Sequence, residues 1–192
     1  MSHFFAYLSR MRFIHRWGLM HSTHVETIQE HSLRVAMIAH ALAIIRNRLF
    51  SGALRPERLA VLAMYHDASE VLTGDLPRPV KYFDPEIEAS YHRIERVARD
   101  RLLAMVPEAL RVDYVDLFHQ DAATTDERAL VTAADKLCAY LKCLEEIATG
   151  NREFVEAEKT LRQAIEAIDL PEVHYFVATF VPSFRLTLDD LR

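Results

Sequence analysis

The sequence predicts an all-α protein, and three observations carry that prediction. Only four glycines occur in 192 residues, Gly18, Gly52, Gly74 and Gly150, and each falls at a plausible break. Between them, apolar residues recur at the three-and-four spacing of one helix face. Residues that start or stop helices then bracket the periodic segments. The length suits one well-packed core and is short for two. The expectation is a single domain over 1–192, its core at about 27–150, with an N-terminal helix and the C-terminal helices packed on it.

A first helix is expected over about 3–14, with Phe4, Phe5, Leu8 and Met11 along one side. The second opens on Thr27-Ile28-Gln29-Glu30, where the Thr and Glu side chains can satisfy orphan backbone donors reciprocally, and runs to about Arg48. The third starts at Pro56, a residue suited to a first helical position, and carries Leu59, Leu62 and Ala63 inward before reaching His66. Thr73-Gly74-Asp75-Leu76-Pro77-Arg78-Pro79 is too rich in Pro and Gly to stay helical and reads as a loop. Further helices are expected over about 85–105, 107–117, 125–149, 151–168 and 171–181. Their boundary signals are Pro85, Pro107, Thr125 with Asp126 and Glu127, Gly150, Pro171 and Pro182. Tyr175 to Phe180 could be a strand by propensity, but the spacing of Val173, Phe176, Val177 and Phe180 favours a helix.

The composition, 51% apolar and 27% charged, is that of an ordinary water-soluble domain. A net charge of −5 argues against broad binding to nucleic acid or to an anionic membrane, so an anionic substrate needs a local basic pocket. Cys138 and Cys143 lie five residues apart on one expected helix, roughly 140° apart around its axis, and cannot readily pair, which suits a reducing compartment. No apolar run approaches the ~20 residues that span a bilayer. Arg10, Arg12 and Arg16, with no acidic residue before Glu26, give the N-terminus a composition like that of an organellar transit peptide, while no secretory pattern is present.

Chemistry concentrates around Met64-Tyr65-His66-Asp67-Ala68-Ser69-Glu70, where three ionisable groups interrupt an apolar stripe. Burying such groups without partners costs several kcal/mol, so they either face water or are held by something. His31 precedes Val35, Ile38, Leu42 and Ile45 on the inward stripe of the second helix; His66 continues the stripe of the third, with Glu70 one turn later. A single histidine on an apolar face is most often a core residue with one hydrogen bond. Two imidazoles with Asp67, by contrast, offer the nitrogen and oxygen ligands that divalent transition metals prefer. Asp100, Asp113, Asp116, Asp121, Asp126 and Asp135 could each complete such a set, and helical phase does not select among them. Asp135 lies roughly 140° from the Leu130, Ala134, Leu137, Leu141 stripe and by periodicity alone is solvated, although small neighbours, Ala133, Ala134, Cys138 and Ala139, would let another helix approach.

The order His31, His66-Asp67 and a distant Asp135 resembles the H…HD…D signature of the HD-domain phosphohydrolase superfamily. Five segments, Arg16-Trp17, Glu30-His31-Ser32, Tyr65 to Glu70, Thr73 to Pro77 and Ala134 to Leu137, are similar in order and spacing to its bacterial 5'-deoxynucleotidases across essentially the whole chain. The resemblance implies an HD-domain helical bundle that hydrolyses deoxyribonucleoside 5'-monophosphates to deoxynucleoside and phosphate. It assigns His31, His66, Asp67 and Asp135 as metal ligands, Asp67 and Asp135 also facing the substrate. Arg16 would orient the phosphate, and Trp17 would contact the substrate. Asp75, Leu76, Pro77 and Arg78 would line the sugar end, with Asp75 at the 3'-hydroxyl. Glu70 would join Arg16 and Asp67 in the catalytic set, moving a proton or orienting water. The resemblance also implies a cytoplasmic homodimer serving nucleotide metabolism.

The chemistry of a phosphomonoester fits that casting. It needs a nucleophile, charge neutralisation and protonation of the leaving oxygen; Arg16 offers a planar fork to two phosphate oxygens. Read without the resemblance, Arg16 is a solvated charge, Trp17 a core anchor, Asp75 a loop cap and Glu70 a partner of His66 or water. One divalent transition metal is expected, cobalt, manganese or similar, since the mixed ligand set also admits iron, zinc or copper. His92, on a charged stretch, is expected to be exposed. Two alternatives remain: an HD-domain phosphohydrolase acting on nucleoside triphosphates or cyclic nucleotides, and a non-catalytic helical binding module.

Overall fold

A computed structural model describes residues 1–119 and 123–191, and every described element is helical. In chain order these are α1 (Phe4–Leu8), α2 (Ile28–Leu49), α3 (Pro56–Met64), α4 (Glu70–Thr73), α5 (Arg78–Lys81), α6 (Pro85–Met105), α7 (Glu108–His119), α8 (Thr125–Ala148), α9 (Val155–Glu166) and α10 (Pro171–Phe180), joined in places by 3-10 turns. No strand occurs among the described residues; one isolated antiparallel bridge joins His15 and Thr27.

Most expected boundaries hold within a residue or two, and their caps show why. Thr27 and Glu30 form the anticipated reciprocal pair: Thr27 N–H donates to Glu30 Oε2 at 2.8 Å, and Glu30 N–H donates to Thr27 Oγ1 at 3.2 Å. For α8 the cap is Thr124, one residue earlier than expected, again reciprocal with Glu127. Pro85 sits behind an Asp84 cap that accepts from the Glu86 N–H at 2.7 Å. The segment 171–180 is helical, as its spacing implies.

Three expectations are corrected. The N-terminal helix is α-helical only to Leu8 and tightens to a 3-10 turn over Ser9–Phe13. Phe4 and Met11 are buried, but Phe5, about 100° round from Phe4, is exposed. The third helix ends at Met64, so His66 and Asp67 stand on a turn rather than continuing a helical stripe. Part of the expected 73–79 loop becomes the single turn α5, which Pro at its second position permits.

The chain divides into two compact units. The first comprises 1–21, 25–33 and 64–123. Its core gathers Phe4, Ala68, Leu102, Leu103, Val106 and Phe118, with Tyr65, Leu72 and Tyr114 packed against it. Phe4 meets Tyr114 edge-on at 5.1 Å and Phe118 at 5.8 Å. The N-terminal segment is therefore part of a folded core.

The second unit comprises 22–24, 34–63 and 124–192. Here the middle of α8 is buried on every side: eight consecutive residues, Leu137 to Leu144, are all buried. That explains why Asp135, solvated by its phase, is half-buried instead. Ion pairs brace the unit, with Arg34 forked onto Glu145 through two 3.0 Å bonds, Arg46 bridging Asp126 (2.9 Å) and Glu172 (3.3 Å), and Arg58 on Glu127 at 3.0 Å.

Candidate active site

The turn between α3 and α4 carries the densest group of ionisable side chains. Tyr65 and Ala68 both pack into the first unit's core, so the chain must double back between them; the Ala68 N–H donates to the Tyr65 carbonyl at 3.1 Å and the Glu70 N–H to the Asp67 carbonyl at 3.0 Å. Anchored on either side, the turn leaves His66 and Asp67 half-buried rather than swallowed. His31 comes to the same point from the first turn of α2, fully buried on the stripe it shares with Val35, Ile38 and Leu42.

These three side chains converge. Asp67 Oδ2 lies 3.0 Å from His66 Nε2 and 3.7 Å from His31 Nε2, and the two imidazole rings are 5.4 Å apart. Among the described residues they form one group whose donor atoms all lie within 4.8 Å of each other. Two imidazole nitrogens and a carboxylate oxygen at that spacing suit a divalent transition cation, and a shared cation accounts for gathering them at a partly buried point. Burial disfavours the Asp67 carboxylate, but His66 first, then His31 and Arg16, outweigh it and hold the group well below the usual range.

Arg16 and Trp17 reach this cluster from the segment after the first 3-10 turn. Arg16 Nη1 stands 3.5 Å from Asp67 Oδ2. Both residues bond to Glu26, which is buried: Arg16 Nε donates to Glu26 Oε2 at 3.2 Å and the indole N–H of Trp17 to the same oxygen at 3.1 Å. Trp17 has a φ of 62°, a left-handed conformation rarely adopted by a bulky residue.

Glu70, at the start of α4, has Oε2 buried with no hydrogen-bond partner among the described residues. Burial, reinforced by the charges of Asp67 and Asp75, pushes its carboxyl up to about 10. Asp75 is raised as well, chiefly by burial, with Asp67 adding to the shift and Arg16, His31 and Lys81 opposing it. Gly74, at φ 72°, stops α4 in a conformation that costs a residue without Cβ little and turns the chain into Asp75, Leu76 and Pro77, all half-buried. Arg78 is exposed, with its guanidinium over the Tyr82 ring, 5.4 Å from the centroid.

Helix α6 holds the Asp75 loop at both ends. The Tyr91 hydroxyl donates to the Gly74 carbonyl at 3.3 Å, and Lys81 Nζ donates to buried Glu95 at 2.9 Å while lying over the Tyr91 ring. His92 is exposed, beside Glu95 at 3.0 Å.

The first unit thus brings together Arg16, Trp17, His31, His66, Asp67, Glu70 and Asp75. Asp135 is half-buried on α8, in the second unit. Of the other aspartates, Asp100 pairs with His119 at 3.1 Å and Asp126 with Arg46, while Asp121 lies outside the described residues. Sequence reading missed Glu26, Tyr91, Lys81 and Glu95. Glu26 had a signal, being the first acidic residue after three arginines and directly preceding the cap of the helix that carries His31. An apolar groove of about 390 Å³ lined by Phe5, Leu8, Met11, Leu33, Met64 and Tyr65 opens on the same unit, but none of the clustered ionisable residues lines it.

A 5'-deoxynucleotidase of Cronobacter sakazakii is 55% identical over 190 residues, covering 99% of this chain and 96% of its own. An HD-domain phosphohydrolase from Listeria innocua superposes with a TM-score of 0.80 at 25% identity, over 94% of this chain and 87% of its own, and shows the fold to be that of an HD domain. The cyanophage S-2L HD phosphohydrolase, solved with dA and one catalytic Zn2+ ion, shares the fold at 17% identity, with a TM-score of 0.64 over 93% of this chain and 96% of its own. The family model for YfbR-like 5'-deoxynucleotidases matches residues 3–184, so the chain belongs to the YfbR-like 5'-deoxynucleotidase family.

Proposed function

We propose that this chain hydrolyses deoxyribonucleoside 5'-monophosphates to deoxynucleoside and inorganic phosphate at the His31, His66, Asp67 cluster. The observation that carries the reading is the convergence of two imidazoles and a carboxylate within 4.8 Å, with the Arg16 guanidinium beside them. His31, His66 and Asp67 would hold a divalent transition ion, and the family resemblance adds Asp135 to the ligand set. When bound, such an ion supplies the acidity that makes water a nucleophile near neutral pH and neutralises phosphate charge. The relative solved with one catalytic Zn2+ ion and dA supports both the metal and the nucleoside character of the ligand. The proposed cofactor is one divalent transition ion, cobalt, manganese or similar.

The chain's own residues divide the remaining work. Arg16 presents Nη1 toward the cluster and binds phosphate oxygens, a planar two-point grip that lysine cannot copy. Burial and the charges of Asp67 and Asp75 favour the protonated form of Glu70, which suits it to give a proton to the leaving 5'-oxygen. Trp17 supplies a flat apolar face, and Asp75 receives the 3'-hydroxyl while Leu76, Pro77 and Arg78 line the sugar end. A ribose 2'-hydroxyl would have to fit against that same rim, which accounts for preference for deoxy substrates.

We further propose a cytoplasmic homodimer acting in nucleotide metabolism. Two buried thiols that form no disulfide, Cys138 and Cys143, are in keeping with a reducing compartment.

Phosphate release from a panel of deoxyribonucleoside 5'-monophosphates, their ribose equivalents and cyclic diesters tests the reading, run after chelation and again after restoring single metals. The expected result is metal-dependent release from the deoxy monophosphates. A preference for ribonucleotides or diesters would refute it. In the same assay Arg16→Ala should slow hydrolysis at least tenfold, because it removes a charged hydrogen-bond partner worth ~1.5–3 kcal/mol.

A further inference from the structure

We propose that Glu26 is a positioning residue that locks the phosphate-binding arm of the site to its cation-binding arm. One of its oxygens accepts from both residues of the first arm, Arg16 Nε at 3.2 Å and Trp17 Nε1 at 3.1 Å. Its other oxygen, Oε1, faces the second arm, 3.9 Å from Nδ1 of His31. A single buried carboxylate therefore bonds two residues of the site and faces a third, while pointing into none of the chemistry.

The backbone is built to hold it there. The Arg16 N–H donates to the Glu26 carbonyl at 2.9 Å, the Ile28 N–H donates to the Ile14 carbonyl at 2.9 Å, and His15 and Thr27 pair as an antiparallel bridge between them. Arg16 and Glu26 are thus set opposite each other by main-chain bonds before their side chains meet. The left-handed backbone of Trp17 is strained and persists only where the surroundings fix it; the indole bond to Glu26 is such a fixture. With Nε given to Glu26, the guanidinium plane of Arg16 turns its far edge, Nη1, to within 3.5 Å of Asp67. On the His31 side, the Glu26 carboxylate faces Nδ1 at 3.9 Å, a negative charge behind the ring that favours a cation held at Nε2.

The inference deepens the deoxynucleotidase reading, and rests on it only for what Arg16 and Trp17 grip. Its test exploits Trp17 being the sole tryptophan, so that intrinsic emission reads this residue alone. Glu26→Gln is expected to shift Trp17 emission in the metal-free protein and to weaken affinity for zinc, titrated alone by calorimetry, at least tenfold. Its thermal unfolding should stay near wild type, and KM for a deoxynucleoside 5'-monophosphate should rise more than kcat falls. Wild-type emission together with wild-type zinc affinity would overturn the proposal. If Glu26→Gln fails to fold, Glu26→Asp takes its place: it keeps the charge but withdraws the carboxylate by one methylene. The same losses in smaller measure support the role, and unchanged emission and affinity refute it. Neither readout depends on which ester is cleaved, so a substrate panel that overturned the deoxynucleotide reading would leave this test intact.

Discussion

Glu146 on α8 and Glu70 on α4 are both acids inside a helical protein, and their surroundings differ in kind. Glu146 collects the Thr23 N–H at 2.8 Å, the Thr23 hydroxyl at 2.7 Å, the His24 N–H at 3.1 Å, the Asn151 amide at 2.8 Å and the Lys142 ammonium, which also donates to the His24 carbonyl. Burial alone would raise it, but Lys142, Asn151 and Thr23 together hold its carboxyl well below the usual range. Glu70 has one oxygen buried with no partner among the described residues, and burial, reinforced by negative neighbours, drives it up. A carboxylate supplied with donors on every side fastens the chain, whereas one left short of them keeps its proton and is available for reaction.

That contrast can be broken at four points. The largest expected effect is from Asp67→Asn, which should abolish turnover while circular dichroism stays nearly unchanged; normal hydrolysis by this variant would show that the cluster is not the site. Glu70→Gln should lower kcat by roughly 10²–10⁴-fold, the range for a lost general acid. As an acid Glu70 must carry its proton, so the rate falls as pH rises through its pKa, and Gln should erase that alkaline limb. Stability follows the same sign: a carboxyl raised from 4.5 to about 10 contributes fully below 4.5 and loses its contribution as pH climbs toward 10. Urea midpoints of Glu70→Gln should accordingly fall less across that window than those of the wild type.

Glu146→Ala should do the reverse. Leaving the Lys142 ammonium buried without its carboxylate costs about 3–5 kcal/mol of stability, read from denaturant midpoints. Because the Glu146 carboxyl is depressed, its contribution is present above pH 4.5 and is lost as pH falls below it. The wild type should therefore show an acid limb that the variant lacks, and kcat per folded molecule should hold. Equal stability of the two proteins would dissolve the contrast. The smallest effect is at Tyr91→Phe, where a hydrogen bond worth ~0.5–1.5 kcal/mol to the Gly74 carbonyl disappears. A severalfold rise in KM with little change in kcat is expected, and an unchanged KM would show that the loop is held by other means.

Much of this could be read from the chain itself. Helix existence was legible because caps and periodicity agree, as at Thr27 with Glu30 and at His31 with Val35, Ile38 and Leu42. The HD turn was not, since Met64 to Glu70 are all tolerable in a helix and only the joint demand of Tyr65 and Ala68 for one core bends the chain. Asp135 was misread as solvated because periodicity assumes one wet face, and α8 between Leu137 and Leu144 has none. The metal-type triad was visible as residue types, but the supports Tyr91 and Glu95 are visible only as distances, because a phenol or carboxylate on a charged helix has no distinctive spacing.

The short span from Gly74 to Lys81 has a mechanical consequence. Tied to α6 through Tyr91 at its beginning and Glu95 at its end, it can breathe but has no unattached tip to swing. A rim moored in this way behaves as a fixed doorway: traffic across it is governed by how strongly each passenger clings to the walls, and not by the opening and shutting of a gate.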